Sequence, residues 1–147
     1  LKIIFFIFNF VIFFSNNFGA FVSGLDAGKV YQTWPLMNLN YFPNDVMITK
    51  FLDLFDFDNH SLVQFYHRNM AYLIFLLICG TGIYIFIKKE VKLYRAYYIL
   101  IFFLIVQIIL GIMTLISGLN IYAASLHQIC SLFLVLSIIN LYYNYIN

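Results

Sequence analysis

Two of the three histidines in this chain, His67 and His127, fall inside long apolar runs, whereas His60 sits in polar sequence and reads as solvated. An ionisable side chain at membrane depth is expensive and points to a partner or a function. A buried imidazole either hydrogen-bonds a neighbour or ligates a metal. Arg68, directly after His67, is the one charge in its half of that run. It either snorkels to the interface or pairs its guanidinium fork with a carboxylate. Gln107 and Gln128 either orient an imidazole or hydrogen-bond between helices. Cys79 and Cys130 lie in apolar sequence without a metal-ligand neighbour at close spacing, so buried free thiols are expected.

The elements that must position these residues are set by composition. Of 147 residues 64% are apolar and 10% charged, with six acids against eight bases. A soluble domain carries about 25% charged residues, so lipid is the solvent. A net charge of +2 offers no basic stripe for nucleic acid. Four segments approach the ~20 apolar residues that a membrane helix needs: about 3–24, 62–87, 96–119 and 121–146, with an outer loop over 25–61. Their apolar runs are continuous, which excludes the period-two alternation of a membrane β-barrel. The first run has only Lys2 before it and no small-residue cleavage site, so it reads as a helix and not a signal peptide. The opening Leu1 suggests a fragment or a processed product.

Lys88, Lys89, Lys92 and Arg95 crowd the link between the second and third spans. The positive-inside rule puts that link, Lys2 and both termini on the cytoplasmic or matrix side, and the 25–61 loop outside. Within the loop, Met47, Ile48, Phe51, Leu52 and Phe55 recur at helical spacing. They predict a short interfacial helix capped by Asn44 or Asp45, with Asp53 and Asp56 turned to water. The same loop also suits a lid over a site on the outer side. Asn59-His60-Ser61 fits a glycosylation sequon.

Short links make antiparallel neighbours, so the expected fold is an all-α transmembrane, up-down-up-down four-helix bundle forming a single domain. Small and polar stripes mark the faces turned inward. These are Asn9, Asn16, Ala20 and Ser23 on the first span, and His67, Ala71, Ile74, Ile78 and Thr81 on the second. Gln107, Gly111, Thr114 and Gly118 follow on the third, and Asn120, Ala124, His127, Ser131, Leu134 and Ile138 on the fourth. Close packing explains the small residues but not the histidines. Spans two and four are diagonal partners running the same way, which brings His67 and His127 to similar depth. Two imidazoles so placed form an axial pair for one haem iron, and Ala71 and Ala124 leave room for a flat macrocycle.

Four stretches carry a resemblance. Gly24-Leu25-Asp26-Ala27-Gly28 with Tyr31, Pro35 and Met37 resembles the opening of the outer loop in the second half of haem A synthase. Val63-Gln64-Phe65-Tyr66-His67-Arg68 is similar to that family's histidine-bearing helix start, and Tyr66 departs from its usual Asp or Asn. Val106 to Leu115 and Ala123 to Gln128 are similar to its last two helices, so the likeness runs over about 18–141. The resemblance implies half of a pseudo-symmetric eight-helix enzyme that oxidises the C8 methyl of haem O to a formyl, making haem A for cytochrome c oxidase.

On that resemblance His67 and His127 ligate a haem b cofactor, and Arg68 is a cofactor-binding residue. The methyl oxidation belongs to the N-terminal four-helix half, with its own histidine pair and a glutamate. Glu90, the sole glutamate here, sits in the basic link and does not match it. The implied partners are membrane lipid, haem O and haem A, the N-terminal half, haem O synthase and cytochrome oxidase assembly factors. The implied membrane is the mitochondrial inner membrane, with the bacterial plasma membrane as the alternative. A bis-His b-type electron-transfer subunit without oxidation chemistry is the rival reading, and a haem-free assembly subunit a third.

Overall fold

In lipid no water is present to satisfy a peptide group, so long apolar runs hide their backbone in helices. The computed structural model describes residues 2–147, with side chains from Phe5 onward. It contains α1 (Lys2–Gly24), α2 (His60–Ile87), α3 (Val91–Ile116) and α4 (Ile121–Ile146). All four are long and apolar enough to cross a membrane, and the fold is the expected all-α transmembrane four-helix bundle. The Lys2 side chain lies outside the described residues. Short links join α2 to α3 through Lys88–Glu90 and α3 to α4 through Ser117–Asn120. The bundle therefore has a basic end, at Lys88–Glu90, and a loop end.

The termini of the helices follow from local chemistry. The Asn59 side chain accepts from the Leu62 amide at 3.1 Å and starts α2 two residues earlier than the apolar pattern suggests. Asn120 accepts from the Tyr122 and Ala123 amides and starts α4. The helix α3 begins at Val91, so Lys92 and Arg95 ride on its first turns. It stops before Gly118, whose φ of +69° belongs to the turn and takes it out of the α3 stripe.

The main interhelical cluster of apolar side chains packs toward the basic end, and a smaller set around Met37, Leu62 and Val63 is buried at the loop end. Phe5 and Phe8 of α1, Ile78 and Ile85 of α2, Leu93 and Leu100 of α3, and Ile138 and Leu141 of α4 are essentially inaccessible. Phe5 meets Tyr142 of α4 at 4.8 Å between ring centroids, so α1 and α4 are neighbours. On the other side Tyr97 of α3 donates to the Ile78 carbonyl of α2 at 3.2 Å, over Gly82. With α1 packed on α2 and α3 on α4, α2 and α4 lie diagonally opposed.

The inward face of α1 differs from the expected one. Asn9, Asn16, Ala20 and Ser23 are exposed, and Phe5, Phe8, Ile12 and Ser15 are buried instead. Asn9 donates to its own helix at the Phe5 carbonyl (2.8 Å) and Asn17 to that of Phe13 (2.7 Å). A side chain satisfied within its own helix needs no interhelical partner. Thr81, Thr114 and Ser137 bond back to the carbonyl four residues earlier in the same way.

The long loop is tied down rather than helical. The expected helix from Asn44 or Asp45 shrinks to a 3-10 turn over Phe51–Phe55. Asp53 stays at the surface as expected and also starts that turn, because its Oδ2 accepts from the Thr49 and Lys50 amides at 2.7 Å each. Those bonds, from the Lys50 amide first, hold its carboxyl below the usual range. Asp56 is exposed as expected. Asn44 and Asp45 cap nothing, because both accept from the Tyr31 hydroxyl, at 2.8 and 2.5 Å. Ala27 and Gly28 are buried, and a Cβ added at Gly28 would stand 2.6 Å from Leu119 Cδ2, so the Leu119 side chain would have to move. The loop thus rests on the α3–α4 turn. His60 is exposed, as its polar sequence suggested.

Candidate haem site

The histidines occupy the loop half of the bundle, beyond the main apolar cluster. Neither imidazole is simply surrounded by large side chains: each lies against a glycine of the helix before it in sequence. A Cβ added at Gly19 of α1 would stand 3.2 Å from His67 Cε1, and one at Gly111 of α3 would stand 2.9 Å from His127 Cε1. Ala71 and Ala124, one turn or less from the histidines, are also small.

Both Nδ1 atoms are buried without a hydrogen-bond partner. An unmet buried polar atom costs about 1–3 kcal/mol, and two of them on opposed helices suit a ligand that takes ring nitrogens. His127 Nε2 lies 3.4 Å from Gln107 Nε2, so Gln107 reaches across from α3 to the imidazole of α4. Gln128 is exposed. Cys79 and Cys130 are free thiols, and Cys130 makes only a weak contact with the Phe103 carbonyl at 3.8 Å. Among the described residues no group of three His, Cys, Asp or Glu side chains forms a metal cluster. A haem iron requires only two protein ligands, since the porphyrin supplies four nitrogens.

Arg68 neither snorkels freely nor stands clear of the protein. Its Nη2 donates to the Tyr31 carbonyl at 2.9 Å and its Nη1 to that of Leu36 at 3.3 Å. A guanidinium carries five donors, so part of the fork remains for a carboxylate. Gln64, one turn before His67, was not singled out from the sequence. It donates to the same Tyr31 carbonyl at 2.8 Å, is 3% exposed and leaves Oε1 unmet. Its i−3 spacing from His67 was the available signal, while Gly19 had none. Tyr66 donates to the Leu54 carbonyl at 2.7 Å, which makes it a loop anchor.

Residues 1–139 match the family model described as cytochrome oxidase assembly protein. The chain is 47% identical over 121 residues to heme A synthase of Pelagibacter ubique, covering 81% of this chain and 34% of that protein. It is 35% identical over 133 residues to heme A synthase of Rickettsia canadensis, covering 90% of this chain and 39% of that one. Heme A synthase of a Wolbachia from Brugia malayi is 39% identical over 117 residues, 80% of this chain and 33% of its own. The chain therefore spans about a third of the length of the curated relatives it matches. No solved structure matches. With the model covering nearly the whole chain and the relatives agreeing in name, this protein belongs to the haem A synthase family of cytochrome oxidase assembly proteins.

Proposed function

We propose that this chain is the C-terminal, cofactor-haem-binding half of a haem A synthase, with His67 and His127 as axial ligands of a haem b. The observation that carries the reading is the pair of buried Nδ1 atoms without partners, on α2 and α4, each imidazole backed by a glycine. When bound, a bis-His haem supplies reversible one-electron transfer. The chain's own residues hold and shield it. His67 and His127 each provide a neutral ring nitrogen, and Gln107 lies beside the second. Arg68 offers its remaining guanidinium donors to a propionate while its other two hold the loop over the outer turns of α2.

The whole enzyme would oxidise the C8 methyl of haem O to a formyl and so make haem A for cytochrome c oxidase. The methyl oxidation would belong to the N-terminal four-helix half. Haem O, haem A and the N-terminal half are then its partners, with haem O synthase and oxidase assembly factors around it. The membrane is the mitochondrial inner membrane or a bacterial plasma membrane. The basic link at Lys88–Arg95 argues for both termini on the matrix or cytoplasmic side.

Absorption and electron paramagnetic resonance spectra of the protein purified from membranes test the reading. Low-spin, six-coordinate b-type haem is expected. Haem-free protein, or a five-coordinate spectrum, would overturn it.

A further inference from the structure

We infer that Gly19 and Gly111 are positioning residues: each bare Cα is the seat that fixes how the facing imidazole is turned. The inference rests on the haem reading above and deepens it. An added Cβ at Gly111 would stand 2.9, 3.4 and 3.5 Å from Cε1, Nδ1 and Nε2 of His127. At Gly19 the corresponding distances to His67 are 3.2, 3.7 and 3.9 Å. In both cases the ring presents the same edge, the carbon between its two nitrogens. By contrast Gly24 and Gly80 would meet nothing within 4 Å. The arrangement occurs twice, once in the α1–α2 pair and once in the α3–α4 pair.

The physical need is specific to imidazole. Rotation about its Cβ–Cγ bond is broad and roughly two-fold, so the rotamer alone does not set the ring plane. Packing or a hydrogen bond must do so. His67 has no side-chain partner to its buried Nδ1, and the Gln107 side chain stands 3.4 Å from His127. The backbone of Ser15 and of Gln107, one turn before each glycine, also engages the facing ring, and the glycine surface is the restraint on the edge between the two nitrogens. Glycine is a poorer helix former than alanine, yet both seats lie inside helices, and alanine there would push on the edge that carries the ligating nitrogens. The tilt between two axial imidazole planes sets the anisotropy of a low-spin ferric signal, so the seat has its own readout.

Gly19→Ala, Gly111→Ala and the control Gly80→Ala test it in the purified protein, by haem content and paramagnetic resonance. The largest g-value should shift in both seat variants at unchanged haem content, further in Gly111→Ala, and stay put in Gly80→Ala. Should Gly111→Ala fail to accumulate, Gly19→Ala carries the test alone, because its closest approach is the gentler one. A wild-type low-spin signal with superimposable seat variants overturns the seat and leaves the haem reading standing. A wild-type protein without that signal overturns the haem reading and the seat with it.

Discussion

The Arg68 guanidinium donates to the Tyr31 backbone carbonyl at 2.9 Å, and a second nitrogen reaches the Leu36 carbonyl. One charged side chain on α2 thereby clamps both ends of the Tyr31–Leu36 segment, which leads directly into the buried Met37. Hydrogen bonds from charged donors contribute about 1.5–3 kcal/mol, and partial exposure argues for the lower figure. Arg68→Ala should speed amide exchange across residues 31–37 by about tenfold, on the scale of 1.4 kcal/mol per decade. Arg68→Lys should behave similarly, because an ammonium point charge lacks the fork that spans two carbonyls. Unchanged exchange in Arg68→Ala would remove the clamp from the account.

The loop anchor should also respond to pH. Partial burial pushes the Asp45 carboxyl up, but hydrogen bonds from Ser61 and Tyr31 outweigh it and hold the group below its ordinary value. A depressed acid stabilises the fold above its unfolded pKa of about 3.9, and that contribution is lost as pH falls through the lower folded value. The Tyr31 phenol is raised, by burial first and then by Asp45. Its contribution is present below about pH 10 and is lost as pH rises through the raised folded value. Protection of the loop should therefore be flat between those limits and fall at both. Asp45→Asn should shrink the acid limb to the part that the depressed Asp53 carboxyl carries, and an unchanged limb would remove Asp45 from the anchor.

Ligation makes a spectroscopic prediction. His67→Ala and His127→Ala should each remove the low-spin six-coordinate spectrum, leaving five-coordinate haem or none. If both single variants kept the wild-type reduced spectrum, the ligands would lie elsewhere.

Orientation can be read by labelling. With Cys79 and Cys130 replaced, single cysteines at Asn40 or Asp56 should react with an impermeant reagent from the outer side of intact membranes. One at Lys89 should not. Labelling of position 89 from outside would invert the topology, and with it the side on which the haem lies.

Activity should require the rest of the enzyme. A haem held by both His67 and His127, as proposed, would suit electron transfer and not the activation of an oxidant. Expressed with haem O as the sole haem substrate and no other synthase segment, residues 1–147 should bind haem yet yield no haem A. Co-expression with the N-terminal half should restore production. Haem A in the first strain would place the oxidation chemistry within this chain.

The fold class was legible from the sequence because lipid imposes so few options. Four continuous apolar runs, the last three joined by links too short for anything but antiparallel neighbours, leave a helical bundle as the answer. The two histidines stood out for the same reason, since an ionisable group in such a run is rare. Which face of α1 turns inward was not legible. Asparagine at membrane depth can bond to its own helix as Asn9 does with Phe5, and only the packed structure shows that Phe5, Phe8 and Ile12 take the interior. The loop misled in a similar way. Its helical spacing is real, but Tyr31 and Ser61, distant in sequence, draw Asn44 and Asp45 away from capping, and local pattern carries no record of that competition. Gly19 marks the limit of sequence alone: nothing near it names His67, which reaches it from another helix, and a close approach of that kind exists only once α1 and α2 have packed.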